Sequence, residues 1–522
     1  MSKIAFTYSG KWDDVRKHLR HFPTNEVLKK INEISYSLLL NFQENDLSAT
    51  HEVIYTILNK DTGKPEKKSS IVTAWSLIDL AYYAICASND HRGNYFHNDD
   101  EFYSLYDVVV ALLQRNEKNL IHSENFNKNL FLYLWGFAGE QFKFQRPIKI
   151  FDNAGRELYI LFECAKKISD ESICVPSIVQ KETGYCWEKI VTSLLLGFYY
   201  FSNPLKYSKG ILPLKKEGFL RDNEFKNIMQ RYSINYKDVR ESSLKRQVFY
   251  TKPYVITQKN ELIGFSSYLN LFIYEHCILW IVRDYYKQKN NQTFTNFFGK
   301  CFEVYFEELL DYYLDKKEFV KIPEDKKEPR ADWKLEIGEF RFLVEQKSTI
   351  IRLGAKQQES SIDDIKEFAK KTIQKAIKQL NFTESMFEGE KFIKVILLYE
   401  DYLDPEILSQ VFNMEDFDIP SDDYYWLVSI DEMERLLSLC KENRDKFNSV
   451  IRKKIDLEVS HSIEGKQLHY ILDSFGITSN NYIMTEKIKY YRDRAYNLSK
   501  MCLRNDKVNT LSKIVLSENK EF

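Results

Sequence analysis

The sequence predicts a multidomain α+β protein: a large, mainly α-helical N-terminal domain, a mixed α/β domain, and a helical C-terminal segment. Three observations carry that expectation. The chain has 522 residues, more than one hydrophobic core usually holds. It contains only 17 Gly and 11 Pro, and so few turn-formers favour helices joined by modest loops. Near residue 293 the apolar rhythm changes, from long helical runs to short strands separated by turn signals.

Composition bounds the function. Charged residues make up 29% and hydrophobic residues 44%, the balance of a globular chain. The net charge of −1 excludes a global basic field, so a polyanion would have to be met by a local patch. Eight cysteines occur without a Cys-x-x-Cys pair. That pattern argues against zinc ribbons and thioredoxin-like chemistry and for reduced thiols. The opening stretch MSKIAFTYSGKWDDVRKHL lacks the apolar core of a signal peptide. FLYLWGFAGEQF is too short to span a bilayer, and LNLFIYEHCILWIVRDYY carries Glu275 and His276 in its middle. A cytoplasmic protein with no membrane partner is expected.

Residues 1–245 read as a mainly helical recognition or regulatory domain. SLIDLAYYAICA and KIVTSLLLGFYYF are apolar helical runs, and aromatics at this spacing are core residues first. The tract 205–246 gathers basic residues, among them Lys206, Lys209, Lys215, Lys216, Arg221, Arg231, Arg240 and Arg246. Glu217, Glu224 and Asp238 balance it, so it reads as a solvated surface before a phosphate contact. Residues 246–292 read as a hairpin around Lys259-Asn260 and a helix over about 266–287.

Residues 293–441 form the mixed α/β unit. TNFFGKCFEVYFEELLDYYL is a helix with Phe298, Phe302, Phe306, Leu309 and Tyr313 on one stripe. EFVKI is a strand, and a hairpin follows. SSIDDIKEFAKKTIQKAIKQL is an amphipathic helix with a cap signal at Ser360 to Asp363. KFIKVILLYE and DYYWLVS are strands, and DEMERLLSLC is a helix. Residues 442–522 read as polar and helical.

The hairpin ADWKLEIGEFRFLVEQKST decides the functional reading. Gly338-Glu339 suits a two-residue loop with Gly first. That loop fixes the register: Ile337 faces Phe340, Leu335 faces Phe342, and Trp333 faces Val344, giving one apolar face. The other face then pairs Glu336 with Arg341, Lys334 with Leu343, and Asp332 with Glu345. Lys347 follows Glu345 on the same face. Directly opposed residues have Cβ atoms about 4.5–5.5 Å apart, and two like charges there are destabilising. A hard divalent cation such as Mg²⁺ would relieve the repulsion and could polarise a phosphodiester. Lys347 could support the charged transition state. Other Glu-x-Lys triplets, such as Glu224-Phe225-Lys226, lie in polar contexts, and only Glu345-Gln346-Lys347 ends an apolar strand.

On these residues, 293 to about 400 resembles the PD-(D/E)XK, or restriction-endonuclease-like, nuclease superfamily. Its core order is helix, three antiparallel strands, helix, strand. Its paired motif matches Asp332 and Glu345-Gln346-Lys347. The resemblance implies that Asp332, Glu345 and the backbone carbonyl of Gln346 hold Mg²⁺, with Mn²⁺ able to substitute, and that Lys347 is catalytic. It implies a metal-assisting Glu303 on the first helix and a site Gln on the second, for which Gln374 is the candidate, with Lys370 and Lys378 on its stripe. The residue before Asp332 is Ala331, where the family commonly has Pro; Pro329 lies nearby.

The expected function is metal-dependent hydrolysis of phosphodiester bonds in nucleic acid, DNA ahead of RNA. The architecture resembles phage-defence or restriction effectors gated by a helical domain, with a protein trigger or partner subunit. Two alternatives stand beside it. Arg16 to His21 and Arg92 to His97 have the Arg-x4-His spacing of helical HEPN ribonucleases. The nuclease-like fold could also serve as a non-catalytic binding or assembly module. No Gly-x-x-x-x-Gly-Lys-Ser/Thr loop occurs, so a P-loop nucleotide site is not expected.

Overall fold

The computed structural model describes residues 6–45, 50–58, 64–90, 93, 95–121, 150–168, 173–202, 214–215, 218–288, 291–325, 327–348, 367–399, 425–459, 467–477 and 486–503. It is a mixed α+β structure of many helices and small sheets. Among the described residues no helix is long and apolar enough to cross a membrane.

The N-terminal region is mainly helical, as its apolar runs require. Ala74–Cys86 buries Leu77, Ile78, Leu80 and Ala81, and its N-terminus is capped by Thr73, whose side chain accepts from the Ser76 N–H. Two strands, β1 (Thr50–Leu58) and β2 (Pro65–Thr73), form an antiparallel ribbon there. The helical reading passed over this ribbon, although HEVIYTIL is rich in the β-branched and aromatic residues that strands favour. Of the basic tract, Lys206, Lys209 and Lys216 lie outside the described residues.

A small sheet follows, from β3 (Ser233–Asn235), β4 (Tyr254–Ile256) and β5 (Leu262–Gly264). The β4–β5 turn is the expected one, with Asn260 at φ 59°, a conformation Asn tolerates better than most residues. Ser266 then caps the helix Ser267–Lys287 through the Leu269 N–H. The next helix runs Asn291–Tyr313, and its aromatic stripe is buried from Phe298 to Tyr313.

The main sheet has five strands: β6 (Phe319–Lys321), β7 (Trp333–Ile337), β8 (Phe340–Lys347), β9 (Ile393–Leu398) and β10 (Tyr425–Ser429). They lie in the order β6-β7-β8-β9-β10, antiparallel up to β8 and parallel from β8 onward. A helix over Ala369–Ser385 crosses between β8 and β9, and Ile430–Glu442 follows β10. The element order is the one expected from sequence; the cap signal at Ser360 to Asp363 lies outside the described residues.

One face of the hairpin carries Trp333, Leu335, Ile337, Phe340, Phe342 and Val344, all buried in the large core beneath Asn291–Tyr313. Burying each such side chain stabilises the fold by about 1.5–3 kcal/mol. The opposite face differs from the polar surface expected. Leu343, Ile396, Leu398 and Leu427 form a second apolar core under Ala369, Ile373, Ala376, Ile377 and Leu380. The reason is the parallel crossover, which lays its helix on that face. Glu345 therefore lies in the covered middle of the sheet.

The C-terminal region is helical over Arg444–Val459, Leu468–Ser474 and Glu486–Cys502. The last helix returns to the N-terminal body. Tyr491 stacks on Phe162 with centroids 5.8 Å apart, its hydroxyl meets Glu163 Oε1 at 2.5 Å, and the Lys215 N–H donates to the Cys502 carbonyl at 2.9 Å.

Candidate active site

The site begins with a turn. Gly338 has φ +62°, the left-handed region that glycine enters without strain. An added Cβ would meet nothing closer than Asn448 Oδ1 at 3.7 Å, so the torsion, not space, demands glycine. The two-residue loop sets the pairs Ile337–Phe340, Leu335–Phe342 and Trp333–Val344, as expected. At Asp332 the register breaks: its N–H donates at 3.1 Å to the carbonyl of Val344, which already pairs with Trp333, the two-against-one pattern of a bulge, and its carbonyl accepts from Ile322 at 2.9 Å. Asp332, expected directly opposite Glu345, is thereby held beside the Glu345-Gln346 end of β8, where the Gln346 N–H meets its carboxylate.

Each side chain at this end has a defined partner. Asp332 Oδ2 accepts from the Gln346 N–H at 2.6 Å. The Gln346 amide accepts from the Trp333 indole N–H at 2.7 Å and donates to the Phe302 carbonyl at 3.2 Å. That ties the Glu-Gln-Lys segment to helix Asn291–Tyr313. Lys347 Nζ donates to Glu345 Oε1 and, at 2.9 Å, to Gln379 Oε1. Gln379 Nε2 donates to the Arg330 carbonyl at 3.0 Å, so one amide fixes both the lysine and the segment entering Asp332. Glu345 is only 2% exposed, and its Oε2 is buried without a hydrogen-bond partner among the described residues.

Electrostatics follow from this geometry. Burial pushes the Glu345 carboxyl up to about 8, with the Asp332 charge adding to the rise and Lys347 opposing it. Burial likewise lifts Asp332 to about 6, although the Gln346 N–H and Lys347 pull it down; Glu303 and Glu324 push it up. Each charge therefore makes the other harder to form, and a cation beside them favours the doubly ionised state.

Glu303 stands on the facing helix, with its Oε1 2.5 Å from Lys321 Nζ, so its carboxylate is engaged by that lysine. On the second helix, the amide that reaches Lys347 belongs to Gln379, five residues after the candidate Gln374. Gln374 ends a π turn, Ala369–Gln374, and Gln379 lies in the α-helix after it, one position beyond the stripe through Gln374 and Lys378. The stripe that meets the hairpin is Lys375, Gln379 and Thr383. Lys375 acts electrostatically on Glu345, and Thr383 Oγ1 accepts the Ala331 N–H at 2.7 Å. That bond also accounts for Ala331, since a proline there has no N–H to give. Nothing in the sequence signals the π turn. Lys321 was legible in principle, because β6 pairs it with Trp333.

Among the described residues, no three His, Cys, Asp or Glu side chains form a ready metal cluster. The donors that do meet fit an ion such as Mg²⁺, which keeps several waters and takes only one or two carboxylates. The unpartnered Glu345 oxygen is the observation for that fit. Among the described residues, Arg16 and His21 form no comparable site. The first helix ends at Leu19, leaving exposed Arg16 inside it and His21 beyond it. Arg92 lies outside the described residues, and exposed His97 precedes the helix Asp99–Ile121.

No protein-family model, curated protein or solved structure matches this chain.

Proposed function

We propose that this protein is a metal-dependent nuclease of the PD-(D/E)XK type. It hydrolyses phosphodiester bonds in nucleic acid, DNA ahead of RNA, and acts as a phage-defence or restriction effector gated by its helical N-terminal region. One observation carries the reading: a buried glutamate with an oxygen unpartnered among the described residues, within the field of an aspartate and bonded to a lysine two residues on. The order helix, β6, β7, β8, helix, β9 supports it, because the superfamily's core has that order.

Asp332, Glu345 and the Gln346 carbonyl would hold Mg²⁺ or Mn²⁺. When bound there, the ion supplies a polarising charge on the phosphodiester and acidifies a water. The chain's own groups do the rest. Lys347 holds Glu345 in place and carries a positive charge to where negative charge develops on the phosphate. Gln379 keeps the Lys347 ammonium at that spot. The two apolar cores keep bulk water from the sheet's middle, which strengthens each of these interactions.

The test is cleavage of plasmid DNA, linear DNA and total RNA by purified protein, with Mg²⁺, Mn²⁺ or EDTA. Asp332→Ala, Glu345→Ala and Lys347→Ala are each expected to lower cleavage at least about 100-fold while the protein still melts cooperatively. Undiminished cutting by Lys347→Ala would sink the assignment.

A further inference from the structure

The ion pair between Glu303 and Lys321 has no part in the chemistry above, yet it adjoins the acid pair. Glu303 lies one turn after Gly299, where an added Cβ would come 3.3 Å from Ser348 Oγ at the end of β8. That face of the helix therefore lies against the open end of the hairpin. Lys321 ends the edge strand β6, with its Nζ 2.5 Å from Glu303 Oε1. The same ammonium lies 5.7 Å from the centroid of the Trp333 ring, and that ring is itself fixed by its bond to Gln346. Lys321 also lies within the field of Asp332.

Glu303 and Asp332 are the acids that a second divalent ion would have to share. An ammonium in contact with one and drawn toward the other already supplies positive charge there, and a divalent ion would have to displace it against Coulomb repulsion. Among the described residues, Glu345 Oε2 is buried without a hydrogen-bond partner, on the same hairpin as Asp332. We infer that the site takes a single divalent ion, at Asp332 and Glu345, and that the Lys321 ammonium occupies the second cation position, between Glu303 and Asp332. The inference rests on the metal-site reading given above.

The test counts ions. Full-length protein stripped with EDTA is titrated with Mn²⁺, and bound ion is read by electron paramagnetic resonance and by calorimetry. Wild type is expected to bind one ion per chain. Lys321→Met, which keeps the stem and removes the charge, is expected to bind two. The double variant Lys321→Met/Glu303→Gln is expected to return to one. Lys321→Gln serves as a second neutral variant if the methionine variant does not melt cooperatively. Two ions in wild type, or one in the folded neutral variants, would overturn the inference and leave the metal site standing. No ion in wild type would overturn the metal reading of the hairpin, and this inference with it.

Discussion

At the scale of single residues, Glu345 and Asp332 make the fold sensitive to pH. A carboxyl held above its ordinary range keeps a proton in the folded state that the unfolded chain has released. Between about pH 4 and 8 the folded form therefore binds more protons, and metal-free stability falls as pH rises. The Asp332 part is lost through about 6 and the Glu345 part through about 8. Thermal melts in EDTA are expected to show this decline, with a shallower slope for Glu345→Gln. That variant should exceed wild type at pH 8 by on the order of 1–3 kcal/mol. Mg²⁺ should restore wild type at pH 8 and leave Glu345→Gln nearly unmoved; equal slopes in EDTA would contradict the assignment. Gln379 is a positioning residue, because it reaches the reaction only through Lys347. Gln379→Leu is expected to lower kcat about 10–100-fold with little change in KM, and Gln379→Glu should recover part of the loss and shift the pH profile.

At the scale of elements, the hairpin was legible from Trp333 to Val344 but not at Asp332, where a bulge ends the register, and the helix beside it was not legible. A two-residue loop beginning with Gly338 leaves one register, so every pair from Trp333–Val344 to Ile337–Phe340 could be written down in advance. Side chains on the second helix could not, because a period of 3.6 residues does not survive the π turn at Ala369–Gln374. The second apolar core was missed for a different reason. Leu343 looks like a single apolar residue on a polar face until the crossover helix covers it, and only tertiary placement shows that. The bond between Ala331 and Thr383 gives this scale its prediction. Thr383→Val keeps the shape but leaves a buried N–H unpaired, and should lower stability by about 1–3 kcal/mol in urea unfolding. Ala331→Pro removes the donor with its acceptor still present and is expected to be tolerated better.

At the scale of the molecule, helix Asn291–Tyr313 is shared between two assemblies. Its Phe302 carbonyl and Glu303 meet the hairpin. Tyr305 on another face donates to Glu434 Oε1 at 2.5 Å, and Glu434 takes both arms of Arg156 at 2.7 Å. Nearby, Tyr159 donates to Glu308 at 2.5 Å. The N-terminal body is thus joined to the sheet through buried charge, which the linear sequence gives no means of pairing. Arg156→Met would leave Glu434 buried without its cation and should cost about 3–5 kcal/mol. Adding Glu434→Leu should recover much of that, as read by calorimetric melting; no recovery would show that the arginine acts through packing alone.

The π turn has a consequence for how this chain tolerates change in length. A stretch wound at the wider period holds one residue that an ordinary helix would not need. Removing a residue between Ala369 and Gln374 can be absorbed by rewinding to the tighter period, leaving Lys375, Gln379 and Thr383 where they are. Removing one after Lys375 cannot be absorbed, because it rotates Gln379 away from Lys347. Chains of the same design could thus differ by a residue here and still work, and any comparison that keeps a fixed interval between Lys347 and the following glutamine would slip by one.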